Sequence, residues 1–342
     1  MRLRTVLATF TAGLAAATTL TAAGPAVAVD SAGGNACSPT VAIDGFSDSL
    51  DKTSYEGNFT GNFSALALDP DGTLAALSDR SALFSLDRRT LQPRKVVQLA
   101  DEKGAALDSE GLVIDRDGTR LITSETEPSV RRYDRAGHVL DRLPVPAALQ
   151  VAPAGRAVSN GTFEGLTWTD GGRALLASME YALSGDTAGT VRFQTWRRHG
   201  RGFVLGAQYA YRTDAGLGVP EVQALPDGRL LVLERGFTAG VGNTVRLYLA
   251  DPRRATDTSG VEYLTGQPGV RVVRKTLLAD LADCPSLGAT AKQPQPNPLL
   301  DNIEGMAVTG RTGDRLRVTL VSDDNQNAVQ TTRFYYLRVR TR

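Results

Sequence analysis

Apolar residues recur along the chain in short, often β-branched runs separated by polar turns. Five stretches share one layout, a strand, a tight turn and a second strand. The first runs from Phe63 to Gly72 and ends in Ala76-Leu77-Ser78-Asp79-Arg80. The second runs from Ser109 to Gly118 and ends in Ile122-Thr123-Ser124-Glu125. The third runs from Phe163 to Gly172 and ends in Leu176-Ala177-Ser178-Met179-Glu180. The fourth runs from Pro220 to Gly228 and ends in Leu231-Val232-Leu233-Glu234-Arg235. The fifth opens on Ile303 to Val308 and ends in Thr319-Leu320-Val321-Ser322-Asp323-Asp324. Asp-Gly pairs favour hairpin turns. Those at Asp71, Asp117, Asp170 and Asp227 lie 46, 53 and 57 residues apart.

Two further strands are expected after each of the first four hairpins. They are Ala82–Asp87 and Lys95–Leu99, Val130–Asp134 and Val139–Leu143, Val191–Trp196 and Phe203–Tyr209, then Val245–Ala250 and Val270–Leu278. Four strands per period of about fifty residues is the arithmetic of a β-propeller blade. The expected fold is therefore all-β, a propeller of five four-stranded blades. The gap before the fifth unit leaves room for a sixth, but Asp251 to Pro268 is Gly-, Thr- and Asp-rich and reads better as an insertion. The fifth unit is followed by one strand, Arg333–Val339. Its missing fourth strand is expected from Thr40–Phe46, which would close the ring.

The first residues belong to a different class. Arg2 and Arg4 precede an apolar and small-residue run, Val6 to Leu20, and a small-x-small end, Pro25-Ala26-Val27-Ala28. This is the pattern of a secretory signal peptide over residues 1–28, cleaved after Ala28, with residues 29–342 as a single domain. A membrane anchor is disfavoured because Thr and Gly interrupt the run and it ends at Pro25. An exported chain places Cys37 and Cys284 in an oxidising compartment, where one disulfide is the simplest outcome.

Composition narrows the function. The 342 residues carry 38 Lys+Arg against 37 Asp+Glu. Loss of Arg2 and Arg4 with the signal would move the net charge from +1 to −1. No basic excess exists to hold a nucleic acid, no later run is long enough to span a membrane, and a monomer acting on a small molecule is expected. With 2 His and 2 Cys, the usual zinc ligand sets are nearly excluded. His138 and His199 fall in hairpin tips, which leaves no partner for a Ser-His-Asp triad.

Acidic residues recur with the repeat. Glu110, Glu164, Glu221 and Glu304 open first strands, and Asp79, Glu125, Glu180, Glu234 and Asp323 close second strands. A hairpin returns its two ends to one place, so each unit can deliver two carboxylates to the same mouth of the ring. Crowded carboxylates repel and raise one another's pKa. A hard cation with oxygen ligands relieves this, and Ca2+ is the common extracellular choice. Glu125, Glu180, Glu234, Asp323, Asp324 and Asp79 are the expected metal ligands. Glu110, Glu164 and Glu304 are the expected catalytic carboxylates. Arg80 and Arg235 follow channel acids and can pair with them or hold a substrate anion.

Several of these motifs together carry a family resemblance. They are Asp108-Ser109-Glu110-Gly111-Leu112 with Ser124-Glu125, Asn160-Gly161-Thr162-Phe163-Glu164-Gly165-Leu166, Leu231-Val232-Leu233-Glu234-Arg235, and Asn302-Ile303-Glu304-Gly305-Met306 with Val321-Ser322-Asp323-Asp324-Asn325. From about Phe63 to Val339 the chain resembles the secreted phytase-like family described as having esterase-like activity of phytase. The first unit departs from the pattern, with Ser64 where three others carry Glu. The resemblance implies an exported propeller that hydrolyses phosphoric or other esters, here with a carboxylate-held metal ion. A lactonase-like propeller, in which Asn302 or Asn325 helps hold one cation, and a non-enzymatic extracellular binding propeller are the alternatives.

Overall fold

The computed structural model describes residues 34–342; the expected signal peptide lies outside the described residues. Five four-stranded antiparallel sheets are present. Blade 1 is Phe63–Leu68, Leu74–Ser78, Ala82–Leu86 and Pro93–Gln98. Blade 2 is Ser109–Ile114, Arg120–Ser124, Ser129–Tyr133 and Val139–Arg142. Blade 3 is Phe163–Thr169, Ala174–Met179, Thr190–His199 and Gly202–Arg212. Blade 4 is Gly218–Ala224, Leu230–Thr238, Gly242–Asp251 and Arg274–Asp280. Blade 5 is Ile303–Thr312, Arg315–Ser322 and Phe334–Arg340, completed by Val41–Ser47 from the other end of the chain.

The first strand of each blade packs on the first strands of both neighbouring blades, and this closes the ring. Burial follows that order. Leu74–Ser78 is buried throughout, whereas the outer strand Pro93–Gln98 of the same blade is half-buried to exposed. Inner strands are covered on both faces by adjacent blades, so they read as apolar runs. One cluster of buried apolar residues fills each of the five interfaces between blades. The Asp-Gly pairs sit at hairpin tips. Asp71 and Asp117 each accept from the amide two residues on, at 2.8 Å, and Gly72 and Gly118 take the positive φ the turn requires.

Closure depends on contacts distant in sequence. Val41 pairs with Val339 and Ser47 with Phe334 across an antiparallel ladder. Cys37, just before that strand, is bonded to Cys284, just after blade 4, across a separation of 247 residues. Arg333 is buried and donates to both Asp48 oxygens at 2.7 and 2.8 Å. It also donates to the carbonyls of Thr290, Pro298 and Leu299. One guanidinium thus ties the N-terminal segment to the loop entering blade 5. The expected insertion after Asp251 is strandless and folds against blade 3, where Arg192 donates to the carbonyls of Val261 and Glu262. Among the described residues no helix is long and apolar enough to cross a membrane.

The Cys37–Cys284 bond restrains a very long loop in the unfolded chain. Replacing both cysteines by alanine should lower the unfolding free energy by about 2–5 kcal/mol, measured by urea denaturation. An unchanged transition would mean that strand pairing and Arg333 alone hold the ring shut.

Candidate functional site

Each inner strand begins with a bulge. The register shifts between Phe63 and Ala65, Ser109 and Leu112, Phe163 and Leu166, Gly218 and Glu221, and Ile303 and Gly305. A bulge turns a side chain out of the pleat. The bulged residues include Ser64, Glu110, Glu164 and Glu304, and all four line one cavity at the mouth. A repeated backbone bond brings the second acid alongside. The amides of Asp79, Glu125, Glu180 and Asp323 donate to the carbonyls of Asn62, Asp108, Thr162 and Asn302, at 2.7–2.9 Å. These two local devices deliver two mouth residues from each of four blades.

The glycine after each bulged glutamate is required by crowding at the axis. A Cβ on Gly111 would lie 2.3 Å from the Glu164 carbonyl oxygen, and one on Gly165 would lie 2.6 Å from the Val222 amide nitrogen. Both obstacles are backbone of the next inner strand and cannot swing away.

The fourth blade breaks the pattern. Ser124, Met179 and Ser322 pair with the first residue of their inner strands, and an acid follows each. In blade 4 the residue in that position is Arg235, paired with Gly218, and Gly236 follows it. Glu234 therefore falls short of the mouth and does not join the ring expected of it. Its carboxylate accepts from Tyr211 Oη at 2.7 Å, the Asp214 amide at 2.8 Å and Lys275 Nζ at 2.5 Å, between blades 3 and 4. Glu221 aligns with Leu112 and Leu166 rather than with their glutamates. It is buried below the cavity, its carboxyl facing the backbone amides of Val222, Leu166 and Met306. Asp324 also turns away, accepting from the Asn62 amide at 3.0 Å and pairing with Lys52.

The remaining expected residues meet in a cavity of about 420 Å³. Asp79, Glu110, Glu125, Glu164, Glu180, Glu304 and Asp323 line it with Arg80 and Arg235, and Asp108 adds an eighth carboxyl. Asn160, Tyr181, Asn302 and Asn325 complete the wall. Arg235 donates to Glu304 at 2.7 Å and lies 3.4 Å from Glu180, so it is an internal counter-ion. Arg80 stands at the rim with its side chain 65% exposed, 3.6 Å from Asp79. Asp108 and Asn302 share a sequence signal that the spacing of glutamates does not expose. Both lie two residues before a bulged Glu, where blades 1 and 3 carry Asn62 and Thr162.

Electrostatics follow from this crowding. Burial first, then like charges nearby, push Glu110, Glu164 and Asp323 well above the usual carboxylate range. Burial raises Glu125 to about 7, helped by Glu180 and Asp108. Burial raises Glu304 to about 7 against the pull of Arg235, and Asp79 to about 6 against the pull of Arg80.

A hard cation fits this donor set. Asp108, Glu110 and Glu125 each offer an oxygen within 4.8 Å of the others, and so do Glu125, Glu164 and Glu180. Oε1 of Glu125 is buried without a hydrogen-bond partner among the described residues. Oxygen-only, carboxylate-rich sites suit Ca2+, Mg2+ or Mn2+.

The family model Phytase-like, described as esterase-like activity of phytase, matches residues 58–326. No curated protein matches the sequence. Among solved structures the chain is similar to a gluconolactonase from Xanthomonas campestris, at 14% identity over 82% of this chain and 73% of that one, with a TM-score of 0.43. It is similar to a glutaminyl cyclase from Myxococcus xanthus at 10% identity, over 88% and 96%, with a TM-score of 0.46. A virginiamycin B lyase from Staphylococcus aureus gives 10% identity over 84% and 68%, with a TM-score of 0.40. Likeness at these scores carries no functional argument.

Two outcomes are expected. Gly165→Ala should destabilise the fold by about 1–3 kcal/mol through overpacking, read as a lower urea midpoint. The second concerns pH. Carboxyls with raised pKa keep protons in the folded state that the unfolded chain has released, so stability falls as pH rises past their ordinary values of 3.8 and 4.5. Chelator-treated protein should therefore lose thermal stability between about pH 4.5 and about pH 7, and added Ca2+ at the upper end should restore it. A flat profile without cation would contradict the electrostatic account.

Proposed function

The chain belongs to the phytase-like family, and from that premise we propose that it is an exported, cation-dependent hydrolase of phosphoric or other esters, working at the acidic mouth of the propeller. One observation carries the proposal: eight carboxyls and two guanidiniums share one open cavity, with two carboxylate triads of cation-binding spacing. The Cys37–Cys284 bond supports export.

Asp108, Glu110, Glu125, Glu164 and Glu180 would hold the cation. When bound, a divalent cation polarises a phosphoryl or carbonyl oxygen and acidifies a water. The protein's own groups divide the remaining work. Arg80, exposed at the rim, steadies the anionic part of the ester. Arg235 pairs with Glu180 and Glu304 and holds both in place on the cavity wall. Glu304, buried and raised to about 7, can take or return a proton near neutral pH; Asp323, also buried, is raised by burial and by the Glu304 charge. Tyr181 forms one lip of the pocket, its ring seated where Gly161 and Gly218 leave room for it.

A second reading, a lactonase-like propeller, is favoured by Asn302 and Asn325, which line the same cavity; Asn302 donates to Glu304 at 2.9 Å. A lactone panel separates it from the first reading.

The test is turnover of p-nitrophenyl phosphate, phytate and short acyl esters with and without chelator. Activity is expected only with cation. Glu110→Gln and Glu164→Gln should each lower kcat/KM by about 100-fold or more. Arg80→Gln should act mainly on KM. No cation-dependent turnover on any ester or lactone would leave a binding propeller as the reading.

A further inference from the structure

Two carboxylate triads of cation-binding spacing meet at one residue of the mouth. The first is Asp108, Glu110 and Glu125, on the blade 2 side, and the second is Glu125, Glu164 and Glu180, on the blade 3 side. Glu125 is common to both. It is 4% exposed, yet its Oε1 has no hydrogen-bond partner among the described residues. Ser64, 2% exposed on the wall of the same cavity, likewise has an unpartnered hydroxyl. Polar atoms this deeply buried are usually bonded in folded proteins, and these two, on the wall of the acidic cavity, are open to a bound ligand.

Charge supports two ions over one. Eight carboxyls against two guanidiniums leave an excess of six negative charges when all are ionised. One dication leaves four, and two dications leave two, within reach of residual protonation. The guanidiniums also differ. Arg235 has a side chain only 15% exposed and is fixed beside Glu180, a member of the second triad. Arg80 is on the rim, mostly exposed and screened by solvent, and its charge reaches Asp108 of the first triad.

We propose that the mouth binds two divalent cations at once, bridged by Glu125, with the Asp108–Glu110 side filling first and the Glu164–Glu180 side second and more weakly because Arg235 opposes it. This deepens the hydrolase reading and rests on its claim that the mouth binds cations.

Chelator-stripped protein is titrated with Ca2+ by calorimetry and equilibrium dialysis at neutral pH. Two ions per chain are expected, in two steps. Asp108→Asn should abolish the tighter step and Glu180→Gln the weaker, each leaving one ion. Glu125→Gln should weaken both by about tenfold or more, and Arg235→Gln should tighten the second. With two Mn2+ per chain, electron paramagnetic resonance should show an exchange-coupled pair that Asp108→Asn converts to an isolated-ion spectrum. Circular dichroism checks that each variant folds; if Glu125→Gln does not, the Asp108 and Glu180 variants still decide. One ion per chain in the unmodified protein overturns the proposal, as does loss of the same single ion in both of those variants. One ion with chelator-sensitive turnover sinks this inference and leaves the hydrolase reading standing, whereas no ion and no turnover sinks both.

Discussion

Repulsion among buried carboxylates is the constraint around which this molecule is arranged. Burial opposes ionisation of Glu110, Glu125, Glu164 and Glu180; neighbouring carboxylates add to it at the first three, while Arg235 offsets it at Glu180. Such crowding persists only if the backbone enforces it. Here the enforcement is local and repeated: a bulge at the start of each inner strand, a glycine that admits the neighbouring strand, and a backbone bond from the second acid to the residue two before the bulged one. Because these devices are backbone features, the acids cannot relax outward without unpicking the blades.

The ring itself supplies the second requirement, rigidity. Five apolar interfaces between blades resist radial expansion. The one seam left by an open chain is sealed by Val41–Ser47, the Cys37–Cys284 bond and Arg333. A mouth lined with like charge pushes its walls apart, so a seam held by a strand ladder, a covalent bond and the bidentate ion pair of buried Arg333 suits the load. The fourth blade contributes the opposite sign. Arg235 stands where the other second strands turn into the mouth, and it makes the cavity asymmetric, with its fixed charge beside Glu180 and Glu304.

Most of the fold was legible because blade hairpins carry short-range signals. Asp-Gly turns, apolar inner runs and polar outer strands are set by local conformation and by period, so even the strand that closes blade 5 is found near its place. The mouth acids of blades 2, 3 and 5 were legible for the same reason. Blade 4 was not. Its Pro220-Glu221 and Glu234-Arg235 imitate the repeat in the sequence, but pairing of Gly218 with Arg235 shifts both glutamates off the mouth positions. A small change in register is invisible in a list of residue types and decides where every side chain points. Asp324 fails similarly. It extends an acidic run, yet its partners, Lys52 and Asn62, come from the other end of the chain.

The amino-acid sequence alone therefore determined the all-β architecture, the number of blades, the partner of the last strand and the presence of paired acids in the repeat, since each follows from local turn chemistry and period. Only the tertiary structure decided which acids share a cavity. It brought in Asp108, removed Glu234 and Asp324, locked Arg235 between Glu180 and Glu304, and made Glu125 common to two triads. Those outcomes depend on register and on distances between blades, which arise when the ring closes and which no single repeat encodes.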